Sequence, residues 1–398
     1  MYIYPPFIML KGMSFKIKRF LSILVVLIVL SLTVYFLSSG WTSNESSVRE
    51  IYVGVTFSSN TTIEARLLID KVKSYTNLLI VDSGPISKNE TALNEICDYA
   101  VSAGLHIIVY FGIFDHQWQL PWLDTVKQRY GDKFLGLYFF DEPAGGILDH
   151  AYPPDSLLDI EYKIVQADPP KSYDEMADLF VNSWRTMPGL HTAKTIRNPP
   201  VAFTSDYALY WFDYLAGYDV MLAQFGWNHS RVQDIALIRG AARVQNKEWG
   251  VIVTWTYSNP PYLETGQQLY DDMVMAYENG AKYITVFNYP KINDYGILKQ
   301  EHFDALERFW SKIHTGFQQP AYSAETALVL PKNYGWGMRN PNDKIWSFWG
   351  PDEKSAQIWN ITRTLLGRYA LRIDIVYDDA RFPLEDIYTK IYYWNSTL

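Results

Sequence analysis

Eight times between Ile51 and Thr315 the chain repeats one phrase: a short apolar run, a polar or aromatic tip, then an amphipathic helix pattern. The runs are Ile51–Phe57, Asn77–Gly84, Leu105–Gly112, Phe134–Glu142, Val201–Ser205, Val220–Trp227, Trp249–Tyr257 and Tyr283–Pro290. Most are continuously apolar rather than alternating, the pattern of strands covered on both faces. Helix patterns follow at Thr62–Tyr75, Ala92–Gly104, Trp122–Tyr130, Tyr173–Met187, Tyr207–Ala216, Arg231–Asn246, Thr265–Gly280 and Lys299–Thr315. Parallel strands require long crossovers, and helices between successive strands supply them. Eight such units in about 265 residues predict an α/β fold of the (β/α)8 TIM-barrel kind over residues 51–317. The rival, an open doubly wound sheet, usually has a phosphate-cradling glycine loop after its first strand, and Val55-Thr56-Phe57-Ser58-Ser59 has none.

Two segments break the rhythm. Ala144–Tyr173, rich in Pro, Gly and Asp, is too long for an ordinary connection and is expected to be a lid, a pocket wall or a binding loop. Residues 318–398 read as a small flavodoxin-like α/β half-domain, with strands Ala327–Pro331, Arg372–Tyr377 and Lys390–Trp394 around a helix at Glu353–Tyr369. Such a half-sheet either leans on the barrel or offers an edge to another chain, so a homo-oligomer through this domain is one expectation. Trp336, Trp346 and Trp349 are expected to plug the seam between the two parts.

The amino terminus carries an address. Residues 1–19 hold a basic flank (Lys11, Lys16, Lys18, Arg19), and the apolar stretch Phe20–Leu37 fits a transmembrane anchor over residues 20–38, followed by a linker at residues 39–50. A cleaved signal peptide is the alternative, given the small residues Ser38-Ser39-Gly40. Sequons at Asn44, Asn60, Asn89, Asn228, Asn360 and Asn395 agree with a single-pass cell-membrane protein whose carboxyl-terminal domains are extracellular and glycosylated. The net charge of −8 and the absence of a basic stripe argue against a nucleic-acid partner. The single cysteine, Cys97, reads as a buried helix residue.

In a parallel barrel, chemistry gathers at the carboxyl ends of the strands. Those tips carry Asp82 on the second strand, Tyr110 and Asp115 on and beyond the third, Asp141 and Glu142 on the fourth, and Asp206 on the fifth. The sixth contributes Gln224 and Trp227, the seventh Trp255 and Tyr257, and the eighth Asn288 and Tyr289. Carboxylates, amides and aromatic rings without a cationic cluster suit a neutral, polyhydroxylated ligand, and sugar rings stack on aromatic faces. The histidines show neither HxH nor HExxH spacing, and no G-x-S-x-G is present, so neither a metal site, a cofactor nor the simplest serine hydrolase is expected. Glycosidic cleavage needs a protonated acid at the leaving oxygen, and Glu142 has the type and place, with Asp141 either raising its pKa by repulsion or orienting a substrate group or water.

The strand-ending Asp141-Glu142-Pro143 resembles the acid/base strand of TIM-barrel glycoside hydrolases. In their large retaining clan the fourth strand ends Asn-Glu, commonly Asn-Glu-Pro. The resemblance implies Glu142 as general acid/base, with Asp141 in the asparagine's place. The carboxyl-terminal half-sheet is similar to the amidotransferase-like domain of one β-galactosidase family in that clan. The clan's nucleophilic Glu belongs at the seventh strand tip, where this chain reads VIVTWTY; Glu264 lies in the loop beyond, reading as the start of a helix. An adjacent Asp-Glu also resembles hexosaminidases whose substrate supplies its own acetamido nucleophile, which implies that Asp141 steadies that group. An inverting enzyme with Asp82, Asp115 or Asp206 as base is a third mechanism. The alternative from another class is a non-catalytic glycan-binding or cell-envelope scaffold protein that kept the barrel.

Overall fold

The computed structural model describes residues 50–150, 154–257, 259–315 and 324–397. Eight parallel strands close into a barrel in sequence order: β1 (Tyr52–Phe57), β2 (Leu78–Val81), β3 (His106–Tyr110), β4 (Phe134–Tyr138), β5 (Ala202–Asp206), β6 (Val220–Phe225), β7 (Glu248–Val253) and β8 (Tyr283–Val286). Closure is made by β1 pairing with β8, in the register Tyr52↔Tyr283 to Val55↔Val286. The interior is packed solid with Tyr52, Leu78, Ile80, Ile108, Phe203, Leu222 and Tyr283 among others. Tyr52 stacks on Tyr283 at 5.1 Å, and Phe203 meets the same ring edge-on at 5.2 Å. Two glycines make room for this filling: a Cβ at Gly54 would lie 2.0 Å from Leu78 O, and one at Gly250 2.3 Å from Tyr283 O. Active chemistry is therefore confined to the mouth.

The helices are α1 (Thr62–Val72), α2 (Gly84–Ser87), α3 (Glu90–Ser102), α4 (Gln119–Tyr130), α5 (Pro143–Asp149), α6 (Leu157–Ala167), α7 (Tyr173–Thr186), α8 (Pro188–Thr195), α9 (Tyr210–Ala216), α10 (Arg231–Val244), α11 (Gly266–Glu278), α12 (Gln300–His314) and α13 (Glu353–Tyr369). Side-chain caps set several starts, as in the capping boxes Thr61/Glu64 and Thr265/Gln268. The expected loop over Ala144–Tyr173 is corrected: most of it is helix, α5 beginning on Pro143 and α6 on the N-cap Ser156. The proline, glycine and aspartate there punctuate short helices rather than prevent them. The fourth strand is also shorter than its apolar run, because pairing with β5 covers only Leu137↔Ala202 and Tyr138↔Phe203. Residues 139–142 are thereby released to turn.

Beyond the barrel, β9 (Thr326–Leu330), β10 (Ile373–Tyr377) and β11 (Lys390–Tyr393) form a parallel sheet in the order β10-β9-β11. This sheet leans on α10. A Cβ at Gly240 would lie 2.8 Å from Ile375 O, and Arg239 reaches across to the fully buried Asp374 at 2.7 Å. Tyr388 donates to the other Asp374 oxygen at 2.9 Å. Residues Ile51–Leu398 consequently make one compact unit. Trp346 does fill the seam, meeting Phe212 of α9 at 4.6 Å and Phe180 of α7 at 5.5 Å. The outer edge is partly closed by its own tail, since Ser396 N donates to Tyr393 O and Ser396 Oγ accepts from Tyr393 N. The expected anchor at residues 20–38, its basic flank, the linker to residue 49 and Asn44 lie outside the described residues. Among the described residues no helix is long and apolar enough to cross a membrane.

Candidate active site

A hollow of about 560 Å³ opens at the carboxyl ends of the barrel strands. Its floor and sides come from Tyr138 at the end of β4 and Asp141 and Glu142 beyond it, Ser205 and Tyr207 at β5, Gln224, Trp227 and His229 at β6, and Ile252, Thr254 and Trp255 at β7. Phe287 and Tyr289 follow β8, Asp149 ends α5, and Arg339 arrives from the loop between β9 and α13.

Glu142 owes its position to its backbone. Side chains alternate along a strand, so Asp141 and Glu142 would face opposite ways had β4 continued. Instead Glu142 adopts the left-handed conformation, φ 55° and ψ 48°, and caps α5 ahead of Pro143. Its own N–H donates to Ser205 O at 2.9 Å. The turn brings both carboxyls into the wall of the hollow. A non-glycine residue in this region carries a strain on the order of 1–3 kcal/mol, which the surrounding contacts must hold.

The two acids have different settings. Asp141 looks onto the hollow, where solvent reaches it, while its Oδ1 collects three donors: Tyr138 Oη at 2.7 Å, Ser205 Oγ, and Gln224 Nε2 at 3.4 Å. Gln224 also donates to Ser205 Oγ at 2.9 Å, which locks the trio. Glu142 is enclosed by protein and lies beside the charges of Asp141 and Asp206; burial first, then those charges, push its pKa up to about 8. It is therefore a protonated acid at neutral pH.

Around the acids stand rings. Trp227 and His229 both approach the Tyr207 ring at 6.0 Å, and on the far side Trp255 stacks over Tyr289 at 6.2 Å with an interplanar angle of 16°. Arg339 is the cation of the wall, and its charge is already engaged. It forks onto Asp149 at 2.6 and 2.9 Å and onto Asp343 at 2.7 and 2.8 Å. Burial first, then Arg339 and Arg231, hold the His229 pKa down to about 4, so its imidazole is neutral. The wall thus offers faces, hydroxyls and a neutral acid rather than free charge.

The expected site residues divide. Asp141, Glu142, Gln224, Trp227 and Trp255 come together in the hollow. Asp82 and Tyr110 are outside its wall yet close enough to act on it. Burial and then the charge of Asp141 raise the Asp82 pKa to about 7, and Tyr110 lies 6.4 Å from the Tyr138 ring. Four others are elsewhere. Asp206 is fully buried behind the wall, its carboxylate accepting the N–H groups of Ala144, Gly145, Tyr207 and Ala208 at 2.6–3.2 Å. It anchors the start of α5, and with it Glu142, and has no oxygen free for substrate. Asn288 braces the β8 loop, accepting from Ile297 N at 2.9 Å. Asp115 pairs with Lys88 at 3.4 Å on the outer side. Tyr257 is 56% exposed and walls a neighbouring hollow instead. Glu264 is far from any nucleophile's post, buried between Arg231 at 3.4 Å and Asp272.

Tyr138, Asp149, Ser205, Tyr207, His229 and Arg339 escape the tip-by-tip reading, whereas Tyr289 is named by it and does line the hollow. Tyr207 and His229 stand one or two positions beyond residues it names, and a wider window would include them. Asp149 and Arg339 have no such signal, because their meeting joins α5 to a loop 190 positions away. Among the described residues no group of three or more His, Cys, Asp or Glu is placed to hold a metal ion.

No protein-family model and no curated protein sequence matches the chain. Among solved structures it is similar to alpha-L-fucosidase isoenzyme 2 from Paenibacillus thiaminolyticus, at 9% identity and a TM-score of 0.47, over 86% of this chain and 59% of that one. The catalytic module of a family 98 glycoside hydrolase from Streptococcus pneumoniae TIGR4 aligns over 87% of this chain and 66% of its own, at 10% identity and a TM-score of 0.45. An endo-beta-1,4-mannanase from Thermotoga petrophila aligns over 70% and 82% respectively, at 8% identity and 0.42. All three are glycoside hydrolases. The chain spans about three-fifths of the fucosidase's length.

Proposed function

We propose that this protein is a glycoside hydrolase acting on polysaccharide or glycan, with Glu142 as the general acid. The observation that carries the reading is the pairing of a protonated, enclosed Glu142 with an aromatic-walled hollow in which the one lining arginine is already committed to two aspartates. A neutral ring stacks on Trp227 or on the Trp255–Tyr289 pair, and Glu142 delivers its proton to the departing oxygen as the glycosidic bond breaks.

The partner group is Asp141. The β7 tip supplies Thr254 and Trp255 to the hollow, and Glu264 is clamped by Arg231, so a nucleophile from β7 has no support. Asp206 is likewise occupied by backbone donors. Asp141, whose Oδ1 accepts from Tyr138 and Ser205, can orient either a 2-acetamido group that attacks the anomeric carbon or a water that does so. The exported, membrane-anchored and glycosylated character remains part of the proposal. It is supported by the exposure of the five described sequon asparagines, Asn60, Asn89, Asn228, Asn360 and Asn395.

A panel of aryl glycosides and polysaccharides, 2-acetamido sugars included, tests the reading. Glu142→Gln lowers turnover on whichever substrate is cleaved by about 10²-fold or more, the contribution of a general acid. Unchanged turnover overturns the assignment. Glycan binding without product from any bound ligand selects the non-catalytic alternative, which the carboxylate-free β7 tip favours.

A further inference from the structure

A second hollow, of about 340 Å³, lies beside the first, between the loop after β7 and the loop after β8. The same rim segments serve both. Trp255 faces the first hollow while Thr256 and Tyr257 face the second, and Tyr289 faces the first while Ile292 faces the second. The dividing wall is tied together: Trp255 Nε1 donates to Tyr289 O, Thr256 N donates to Tyr262 O at 2.7 Å, and the Trp255 and Tyr262 rings are 5.7 Å apart.

The lining of the second hollow is mixed in a particular way. Tyr257, more than half exposed, and Tyr262 offer ring faces. Gln268 lines it at the start of α11, where its Oε1 accepts from Thr265 N at 3.1 Å and the amide nitrogen is the end that can reach a ligand. Lys299 is balanced by Glu301, so no surplus positive charge invites a phosphate.

The geometry points to a distal binding site for a neutral oligosaccharide, holding a remote part of the same chain whose scissile bond lies at Glu142 and passing over the Trp255–Tyr289 wall. This rests on the glycoside hydrolase reading above. It assigns Tyr257 and Gln268 to recognition of chain length rather than to the reacting sugar.

The test uses the full chain with hexasaccharides of glucose, mannose, xylose, galactose and N-acetylglucosamine, each beside its own disaccharide. In the Glu142→Gln background, binding of the best hexasaccharide is measured with and without Tyr257→Ala, and separately with Gln268→Ala. Each second change is expected to weaken the hexasaccharide about tenfold more than the disaccharide, and to raise KM on the long substrate in the otherwise native enzyme without a matching fall in kcat. Equal weakening of both lengths, or none for the hexasaccharide, overturns the distal site. Failure of the glycoside hydrolase reading is seen separately, as turnover that survives Glu142→Gln.

Discussion

The tips of β4 and β7 occupy comparable positions on the barrel rim and handle their acids in opposite ways. After β4 the chain turns through a left-handed residue and sets Glu142 into the hollow beside a second carboxylate, with the nearest arginine held elsewhere. After β7 the acid is delayed to Glu264, which is buried against Arg231 and shares a hydrogen bond with Asp272. Both acids have pKa values pushed up to about 8, both mainly by burial. A raised pKa alone therefore does not mark a proton donor. What separates the two is the neighbour: an acid crowded by other acids at an open mouth is poised to give its proton, whereas one neutralised by a guanidinium is part of the frame.

The largest break in this comparison should come from Asp141→Asn. The change keeps the donors from Tyr138 and Ser205 near at hand but removes the charge that orients the reacting group, and turnover is expected to fall by about 10²-fold or more. Glu264→Gln, assayed in parallel on the same substrate, is expected to leave kcat unchanged. Next is Arg231→Met, which leaves Glu264 and Asp272 buried without their cation. A loss of about 3–5 kcal/mol in urea unfolding is expected near neutral pH. The loss should shrink as the pH falls and Asp272 takes up a proton.

The smallest effect sharpens the comparison through pH. Glu142 and Glu264 at about 8, Asp234 at about 8 and Asp82 at about 7 all lie above their unfolded values because burial disfavours the charged form. Folded groups with raised pKa values bind protons more tightly than the unfolded chain, so their contribution is fully present below about pH 4 and is lost as pH rises through 7 and 8. Asp149, Asp219 and Glu64 are shifted downward and lose theirs as pH falls toward the acid range. Melting should therefore peak on the mildly acidic side of neutral. Glu142→Gln should raise Tm relative to the native chain by more at pH about 8 than at about 5, and a gain that is flat across this range would contradict the enclosed, protonated acid. The alkaline limb of kcat should fall at about pH 8, as Glu142 ionises.

Much of this fold is legible in the chain because burial on two faces forces continuous apolar strands, and all eight strands lie within the apolar runs or one residue beside them. The half-sheet is equally plain for the same reason. The tips are legible where the functional residue lies in the strand or within four positions of its end: Asp141, Glu142, Gln224, Trp227 and Trp255. Asp206 has the same signature and a structural duty, since sequence does not reveal that four backbone N–H groups converge on it. Arg339 is invisible for the converse reason. It reaches the hollow because Trp336 and Trp346 are buried on either side of it, their indole N–H groups donating to Asp343 O and Asn333 O at 2.9 Å each, a consequence of docking between distant segments. The anchor expected at residues 20–38 lies outside the described residues.

The left-handed backbone at Glu142 has an evolutionary corollary. Glycine or asparagine would occupy φ 55° with less strain than a glutamate does. On the proposed reading, a relative that has no bond to cleave gains stability by placing either of those residues here, so the residue at this position separates cleaving from non-cleaving barrels of this kind.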